Sequence, residues 1–308
     1  MSMFQNLQQS SHKRHPAFSM PSARTPRLQP PVRWQARALA AVLGMACGRA
    51  LALDEPIAPP PGLYYIAELL DYRVDSYRGP VNGEKLPGDN HGRAQGLLNR
   101  FLWMTGYKVL GADHGMEFML PVARTSLGFS LADYRASSTG FSDIYLSPLV
   151  LGWHGPRWDA LAGLGLWLDN GRSGSPADPG AGYRRLVLSA GANLYLDEQR
   201  RFSLGGLLRH ERSERGRSGP RHGDQLSLDW TAQRRWGLLQ AGLGGYSRWE
   251  GLGAEHSITH AVGGQLSYFL PSSKAMLRAG FYREFSVEAG ASIKPQGHLL
   301  RLMFAKAF

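Results

Sequence analysis

The chain has 308 residues, of which 35 are Lys or Arg and 24 are Asp or Glu, and its formal charge is +11. With 43% hydrophobic and 19% charged residues, it is too apolar for a disordered protein, and its single cysteine excludes a disulfide framework or a cysteine-based zinc site. No uninterrupted apolar run reaches the roughly 18 residues that a helical membrane span needs. The mean hydropathy of −0.28 is also compatible with a membrane β-barrel, in which half of each strand faces lipid.

The basic charge is concentrated at the N-terminus. Residues 1–52 hold seven basic residues and no Asp or Glu, which leaves 28 basic and 24 acidic residues, a charge of +4, for the remainder. Arg33 and Arg37 precede an apolar stretch, and Ala50 and Ala52 are the small residues of a cleavage site. This order is typical of a secretory signal peptide, so residues 1–52 are predicted to be a leader that is removed.

Cys47 leaves two interpretations open. It is either a lipoprotein cysteine or a small residue of the apolar stretch that is lost on cleavage. Gly44 stands where a lipoprotein signal has a bulky aliphatic residue, which favours the second interpretation. The mature chain would then contain no cysteine, as suits an exported bacterial protein that crosses an oxidising periplasm.

Strand-like runs fill most of the mature chain. Residues 53–62 are predicted to be a Pro-rich periplasmic segment, and residues 63–308 to be one domain of runs separated by turn signals. Each run is long enough to cross a bilayer as a tilted strand, which takes about 9–11 residues, and none has a sustained helical period. The twelve predicted strands cover 63–77, 94–110, 116–132, 141–153, 158–168, 183–196, 202–212, 223–236, 238–249, 258–270, 275–287 and 296–308.

Apolar and polar residues alternate along these runs. Leucines and alanines from Leu186 to Leu196 alternate with Arg185 and Asn193, so one face is apolar and the other is polar or small. The run 141–153 fits poorly because both of its faces are apolar. Arg283 falls on an apolar face and is expected near the lipid headgroups, where a charge costs only about 0–1 kcal/mol.

Long and short connections alternate after the first predicted strand. A soluble sandwich has no reason to place every long loop at one end, whereas an outer-membrane barrel has short periplasmic turns and longer outer loops. Among structures made of strands, only a closed sheet satisfies every backbone hydrogen bond within lipid. The sequence therefore predicts an all-β fold: a monomeric, transmembrane, antiparallel up-and-down β-barrel of about 12 strands. The long connections are 78–93, 133–140, 169–182, 213–222, 250–257 and 288–295, and the short ones are 111–115, 154–157, 197–201, Trp236–Gly237 and 271–274.

Aromatic residues lie at the predicted strand ends, where two interfacial girdles are expected. Aromatic residues are also common strand formers, which is the alternative explanation. Those beside the short turns are Trp153, Trp158, Tyr195, Phe202, Trp236, Phe269 and Phe308. Those beside the long loops are Tyr134, Phe141, Trp167, Tyr183, Trp249 and Phe285.

With the apolar face outward, alternation also predicts which polar side chains face the lumen. Glu284 and Arg301 are on adjacent predicted strands and are candidates for an internal ion pair. For each residue the alternative is a bracing role inside the barrel with no part in transport. The lumen-facing candidates are Arg100, Lys108, Arg185, Asn193, Arg209, Asp229, Arg278, Tyr282, Glu284 and Arg301.

Several segments of the mature chain form a recognisable set. They are 140–149 (GFSDIYLSPL), 152–154 (GWH), 193–197 (NLYLD), 223–230 (GDQLSLDW), 268–269 (YF) and 282–285 (YREF), with the terminal Phe308. These segments resemble those of one family of outer-membrane transporters, the one associated with the meta-cleavage pathway of phenol degradation. The resemblance extends from about Gly62 to Phe308, and it implies passage of aromatic or other hydrophobic small molecules across the outer membrane. Its motifs are structural repeats of a barrel and include no catalytic signature.

The main enzymatic rival is a barrel lipid hydrolase, which needs Ser, His and an orienting Asn or Asp within hydrogen-bond reach. His256, Ser257 and His260 cluster near an outer loop, but no G-x-S-x-G surrounds any serine, and solvated loop histidines are the simpler explanation. No metal spacing such as H-E-x-x-H occurs. The glycine clusters at 163–165 and 242–245 lie inside strand patterns, so they indicate bends or close strand contacts in a curved sheet rather than a phosphate loop.

The run Arg209, Arg212, Arg215, Arg217 and Arg221 is compatible with a nucleic-acid patch, with a loop facing lipopolysaccharide, or with a solvated loop. The outer-membrane topology favours the last two, so no nucleic-acid partner is expected.

The sequence as a whole predicts a bacterial outer-membrane channel, with no enzymatic activity, cofactor or metal, for passive uptake of small hydrophobic or aromatic compounds. A lipid hydrolase and a structural or adhesion barrel are the alternatives. The expected partners are outer-membrane lipid, lipopolysaccharide, the solutes themselves and the barrel-assembly machinery, which is expected to engage the C-terminal strand ending in Phe308.

Overall fold

A computed structural model describes residues 58–80, 83–214, 223–251, 256–290 and 292–308. The predicted leader 1–52, with its cleavage site and Cys47, lies outside these residues, and so do Arg215, Arg217 and Arg221.

Nearly all of the described chain is β-strand. The thirteen strand segments are β1 (Gly62–Arg78), β2 (Asn90–Val109), β3 (Ala112–Phe129), β4 (Tyr134–Phe141), β5 (Tyr145–His154), β6 (Trp158–Trp167), β7 (Arg185–Tyr195), β8 (Phe202–Ser213), β9 (Gln225–Trp236), β10 (Leu239–Glu250), β11 (Ser257–Leu270), β12 (Ala275–Glu288) and β13 (Lys294–Ala307). The described residues also form two single turns of 3-10 helix, Ser130–Ala132 and Pro271–Ser273.

The strands close into one antiparallel barrel. Strands adjacent in sequence pair with each other from β5 to β13, and β1 pairs with both β2 and β13. β4 and β5 both pair with β3, β4 along its second half and β5 along its first half, so they share one position in the wall. The wall therefore has twelve positions, as the sequence predicts, and it leaves no open edge between the first and last strands.

The predicted strand 141–153 is interrupted, and part of the predicted long loop 133–140 is strand. The chain leaves β3 through a tight turn in which Asp133 has φ of 43°, and it re-enters the wall at once as β4. Residues 142–144 then break the strand. Their polar groups bond to the connection between β6 and β7: the Ser142 hydroxyl donates to the Pro179 carbonyl at 2.7 Å, and Asn170 Oδ1 accepts the Ile144 N–H at 2.9 Å.

Side chains alternate across the single-layered wall. Leu300 and Leu302 on β13 are exposed outward, whereas Leu299, Arg301 and Met303 are buried inside. The interior is filled by inward side chains of both polarities, so the protein core occupies the barrel lumen. The same alternation separates a wetter inner face from the apolar outer face that contacts lipid.

The predicted girdles are correct only in part. Seven of their aromatic residues are exposed on the outer wall, but Trp167 and Tyr183 are buried. Trp167 lies an even number of residues from Asp159 and Leu161, whose side chains on β6 point inward. Its side chain therefore also points inward, although it is at a strand end. The exposed members are Phe141, Trp158, Phe202, Trp236, Phe269, Phe285 and Phe308.

The hairpin turns at one end of the barrel are short. β2 and β3 are joined by Leu110 and Gly111, with φ of 51° and 75°, which is the left-handed backbone of the turns that match strand twist in a hairpin. The remaining turns at this end are 155–157, 196–201, 237–238 and 271–274. At the other end lie longer connections, of which 168–184 is fully described.

Candidate functional site

Eight of the ten predicted lumen-facing side chains are buried. A side chain that is buried between exposed strand neighbours in a single-layered wall points into the barrel. The eight are Arg100, Arg185, Asn193, Arg209, Arg278, Tyr282, Glu284 and Arg301.

Asp229 and Lys108 differ from the other eight. Asp229 is half-buried in β9 and lines an interior cavity of about 20 Å³. The side chain of Lys108 is 61% exposed, and its Nζ lies 2.6 Å from Asp113 Oδ1 beside the β2–β3 turn. Lys108 is therefore at the rim of the barrel. The register shift between Met104 and Lys108 breaks the alternation on which the prediction of a lumen position depended.

Buried ion pairs join neighbouring strands inside the lumen. Arg100 donates to both carboxylate oxygens of Glu117 at 2.9 Å. Arg185 donates to Glu211 at 2.8 Å. These carboxylates were not among the predicted residues, because only the strand register shows that each lies beside an arginine.

Arg301 pairs with Glu68 on β1, and this contact corrects the predicted pairing of Glu284 with Arg301. Glu284 instead accepts the hydroxyls of Tyr72 at 2.7 Å and Tyr246 at 2.9 Å, as well as the backbone N–H of Gly297 at 2.8 Å. The two tyrosines belong to β1 and β10, so the carboxylate of Glu284 connects three strands that are not adjacent in the wall.

A second interior cavity, of about 40 Å³, lies on the other side of the lumen. Its walls combine charged groups with apolar and aromatic side chains, and among these Tyr145 and Trp167 pack with ring centroids 4.9 Å apart. The guanidinium of Arg185 lies 5.0 Å from the centroid of the Trp167 ring. The lining consists of Arg100, Leu102, Glu117, Met119, Tyr145, Ser147, Val150, Leu161, Gly163, Trp167, Ser189, Leu207 and Arg209.

Gly165 makes room for this aromatic pair. A Cβ at this position would overlap the Tyr145 ring, so only a glycine allows the ring to lie against β6. The predicted role of the 163–165 glycines in close strand contacts therefore has a specific cause at Gly165. Tyr145 itself belongs to the segment that carries the family resemblance, but its lumen position could be predicted only after the break at 142–144 was known.

The connection 168–184 covers the wall beside the cavity. Asp143 is buried and accepts the backbone N–H groups of Gly171 at 2.9 Å and Ala181 at 2.7 Å. Within the connection, Asp178 accepts the Ser138 hydroxyl at 2.8 Å and Arg172 Nε at 2.9 Å. Although burial opposes ionisation of Asp178, bonds from Ser138, the Ser175 N–H and Arg172 outweigh it and hold the pKa below its usual value.

The start of the described chain closes the short-turn end of the lumen. Ala58 is buried and packs in a cluster with the inward side chains of Leu102 and Met104 on β2 and Leu161 on β6. Tyr64 donates its hydroxyl to the Pro60 carbonyl at 2.7 Å, which fixes the bend into β1. This segment therefore enters the barrel mouth ahead of the first strand.

The residues of the hydrolase alternative do not assemble. Ser257 is buried at the start of β11, whereas His260 packs against Phe285, whose side chain is exposed on the outer wall. His260 Nδ1 lies 2.8 Å from the Ser247 hydroxyl rather than beside Ser257. Across the described ranges, no three His, Cys, Asp or Glu side chains group as a metal site, and no helix has the length and apolarity to cross a membrane.

The fold is similar to that of solved outer-membrane proteins. An outer membrane channel from Pseudomonas putida F1 superposes with a TM-score of 0.70 at 16% identity, over 82% of this chain and 98% of the channel. The transport unit of the autotransporter AIDA-I from Escherichia coli gives 0.55 at 9% identity, over 89% and 99% of the two chains. At these identities the likeness shows the fold alone, a closed antiparallel β-barrel. No curated protein matches the chain.

A family profile also matches the sequence. The family is described as "Putative MetA-pathway of phenol degradation", and the match covers residues 78–293. The range runs from the last residue of β1 to the connection before β13, which is well over half of the chain and confirms the predicted resemblance. The chain folds as a closed antiparallel β-barrel and belongs to the family described as "Putative MetA-pathway of phenol degradation".

Proposed function

We propose that the barrel is a passive channel for small hydrophobic compounds, aromatic ones above all. The observation that carries the proposal is the pair of Tyr145 and Trp167 on the wall of a lumen cavity. The family description, which names phenol degradation, and the similarity of the fold to an outer membrane channel support it.

The cavity combines the two kinds of contact that a phenol-like solute needs. The rings of Tyr145 and Trp167 offer offset or edge-to-face packing, worth about 0.5–1.5 kcal/mol per aromatic pair. Glu117 and Ser147 on the same wall offer acceptors for a solute hydroxyl. Such contacts are weak individually, which suits a channel because the solute must also leave.

The cavity beside Tyr145 and Trp167 is small in this structure. A cavity of about 40 Å³ has room for about three or four water molecules, at roughly 10–15 Å³ for each. Passage of an aromatic ring therefore requires lining side chains to move, and Met119, with its flexible thioether, is the most adaptable of them. At the short-turn end, Ala58 must also give way.

Flux through the channel follows the solute gradient and consumption inside the cell. We infer that the protein has no enzymatic role, since Ser257 and His260 are separated and the carboxylate of Glu284 is bonded to two tyrosine hydroxyls. The adjacent-strand ion pairs brace the wall and keep the lumen wetter than the outer face.

Replacement of Trp167 tests the proposal. We expect Trp167→Ala to reduce the initial uptake rate of a monoaromatic compound about threefold to tenfold, because one aromatic contact of about 0.5–1.5 kcal/mol is lost. Uptake is measured in intact cells at limiting external concentration. Trp158→Ala is the matched control, because Trp158 lies on the same strand but faces outward, and its uptake is expected to match that of the wild type.

Equal uptake by wild type and Trp167→Ala would remove this site from the path. No difference between cells with and without the protein would favour the structural or adhesion barrel.

We also propose that the C-terminal strand is recognised during assembly through Phe308. This residue is exposed and its backbone N–H bonds to the Leu63 carbonyl at 3.0 Å, at the seam where the barrel closes. Deletion of Phe308 is expected to lower the amount of folded barrel in the outer membrane several-fold, measured by the heat-dependent shift in gel mobility. Phe269→Ala, which removes another exposed aromatic beside a short turn, is the control and is expected to leave assembly unchanged.

A further inference from the structure

Four arginines form a contiguous patch on the outside of the barrel. Arg283 on β12 pairs directly with His298 on β13, His298 pairs with Arg73 on β1, and Arg73 pairs with Arg93 on β2. Neighbouring strands are about 4.7–4.9 Å apart, so this line spans roughly 15 Å. Arg124 on β3 extends the patch, since its partner Gln95 is two residues from Arg93. Arg73, Arg93, Arg124 and Arg283 are called the outer arginine row.

The row has more positive charge than its neighbours neutralise: its four arginines lie beside two carboxylates, Asp71 and Asp75, and Asp75 Oδ1 lies 3.0 Å from Nδ1 of His298. The carboxylate of Asp71 accepts hydrogen bonds from two of the arginines. Arg93 donates through Nε at 2.7 Å and Nη2 at 2.8 Å, and Arg73 donates through Nη2 at 3.1 Å. One carboxylate therefore serves two arginines, whose side chains remain 42% and 56% exposed. Within the described ranges, Arg124 and Arg283 are exposed on the outer wall and have no carboxylate partner.

The row marks the edge of the apolar outer surface. Toward the short turns, the outward face becomes apolar within four residues of this line, at the exposed Leu69, Leu97, Phe281 and Leu300. An arginine costs about 2–4 kcal/mol at the bilayer midplane but about 0–1 kcal/mol near the interface. The row therefore lies at the depth of the lipid headgroups, on the side of the long connections.

We propose that the outer arginine row binds the phosphate groups of lipopolysaccharide in the outer leaflet. The long connections place this end of the barrel outside the cell, where the leaflet consists of this phosphorylated glycolipid. Guanidinium groups bind phosphate through two parallel hydrogen bonds, and several of them on one surface hold more than one phosphate. The occupant is therefore the diphosphorylated lipid A end of the molecule, with its acyl chains on the apolar wall below the row.

The test is equilibrium binding of fluorescent diphosphorylated lipid A to the purified protein in detergent micelles. We expect Arg124→Gln/Arg283→Gln to weaken binding about tenfold, which corresponds to about 1.4 kcal/mol. The matched control is Arg234→Gln/Arg235→Gln, which removes two exposed arginines at the short-turn end of the barrel, away from the row. The control is expected to bind within about twofold of the wild type.

A measurement on the wild type alone keeps the proposal testable if a variant fails to fold. Dephosphorylated lipid A is expected to bind about tenfold or more weakly than the diphosphorylated form, and added salt to weaken only the latter. The proposal is overturned if a folded row variant binds like the wild type, if the control loses as much affinity as the row variant, or if dephosphorylated lipid A binds as tightly. Because the row lies outside the lumen, its loss is expected to leave aromatic uptake unchanged, so this result is independent of the channel function.

Discussion

At the scale of single residues, the lumen is organised by charges that are buried in pairs. Glu68 is fully buried and receives the guanidinium of Arg301 from the strand beside it. A buried pair adds little net stability compared with apolar residues of the same volume, but removal of one partner leaves an uncompensated charge.

Glu68→Gln is therefore expected to lower the free energy of unfolding by about 3–5 kcal/mol, because Arg301 keeps its charge and loses its partner. The measurement is urea-induced unfolding of the protein in lipid vesicles. Glu198→Gln, in an exposed turn, is the control and should change stability by less than about 0.5 kcal/mol. A change of that small size for Glu68→Gln would contradict the pairing.

Alternation predicted the facing of most of these residues, but it did not predict their partners. The parity of Arg100, Arg185 and Arg301 along their strands is a local property that the sequence contains. The partners Glu117, Glu211 and Glu68 depend on strand register, which long-range pairing sets. Trp167 was assigned to the outer girdle because its position at a strand end was given more weight than its inward parity with Asp159.

At the scale of elements, the interruption between β4 and β5 is the main departure from the predicted strands. The apolar character of both faces of 141–153 was a sign that this run is not an ordinary barrel strand. The bonds that hold the break come from the connection 168–184, through Asp143 and Ser142. Contacts between segments this far apart in sequence have no local signature, so the sequence could not predict them.

The connection 168–184 is expected to loosen at low pH. The pKa of Asp178 lies below its ordinary value of 3.8, so its ionised form stabilises the connection above that pH. The stabilisation is lost as the pH falls through the lowered pKa. Hydrogen-exchange protection of residues 171–181 should fall between pH 6 and pH 2, whereas Asp178→Asn should be poorly protected at both values. Equal protection of the variant and the wild type at pH 6 would contradict this role.

At the scale of the whole molecule, closure of the barrel and filling of its lumen have opposite consequences for transport. Closure was predictable, because twelve runs of spanning length with short turns at one end fit lipid only as a sealed sheet. The filled lumen was not, since packing of inward side chains depends on barrel diameter and register together. With a cavity of only about 40 Å³ beside Tyr145 and Trp167, the proposed channel is expected to admit small solutes one at a time.

The most direct test of the channel function is the uptake of labelled phenol by cells that possess or lack this gene, at an external concentration that limits the rate. We expect the initial rate to fall several-fold without the gene and to return when the wild-type chain is supplied, while uptake of a large sugar stays the same. An unchanged rate of phenol uptake in cells without the gene would contradict the account.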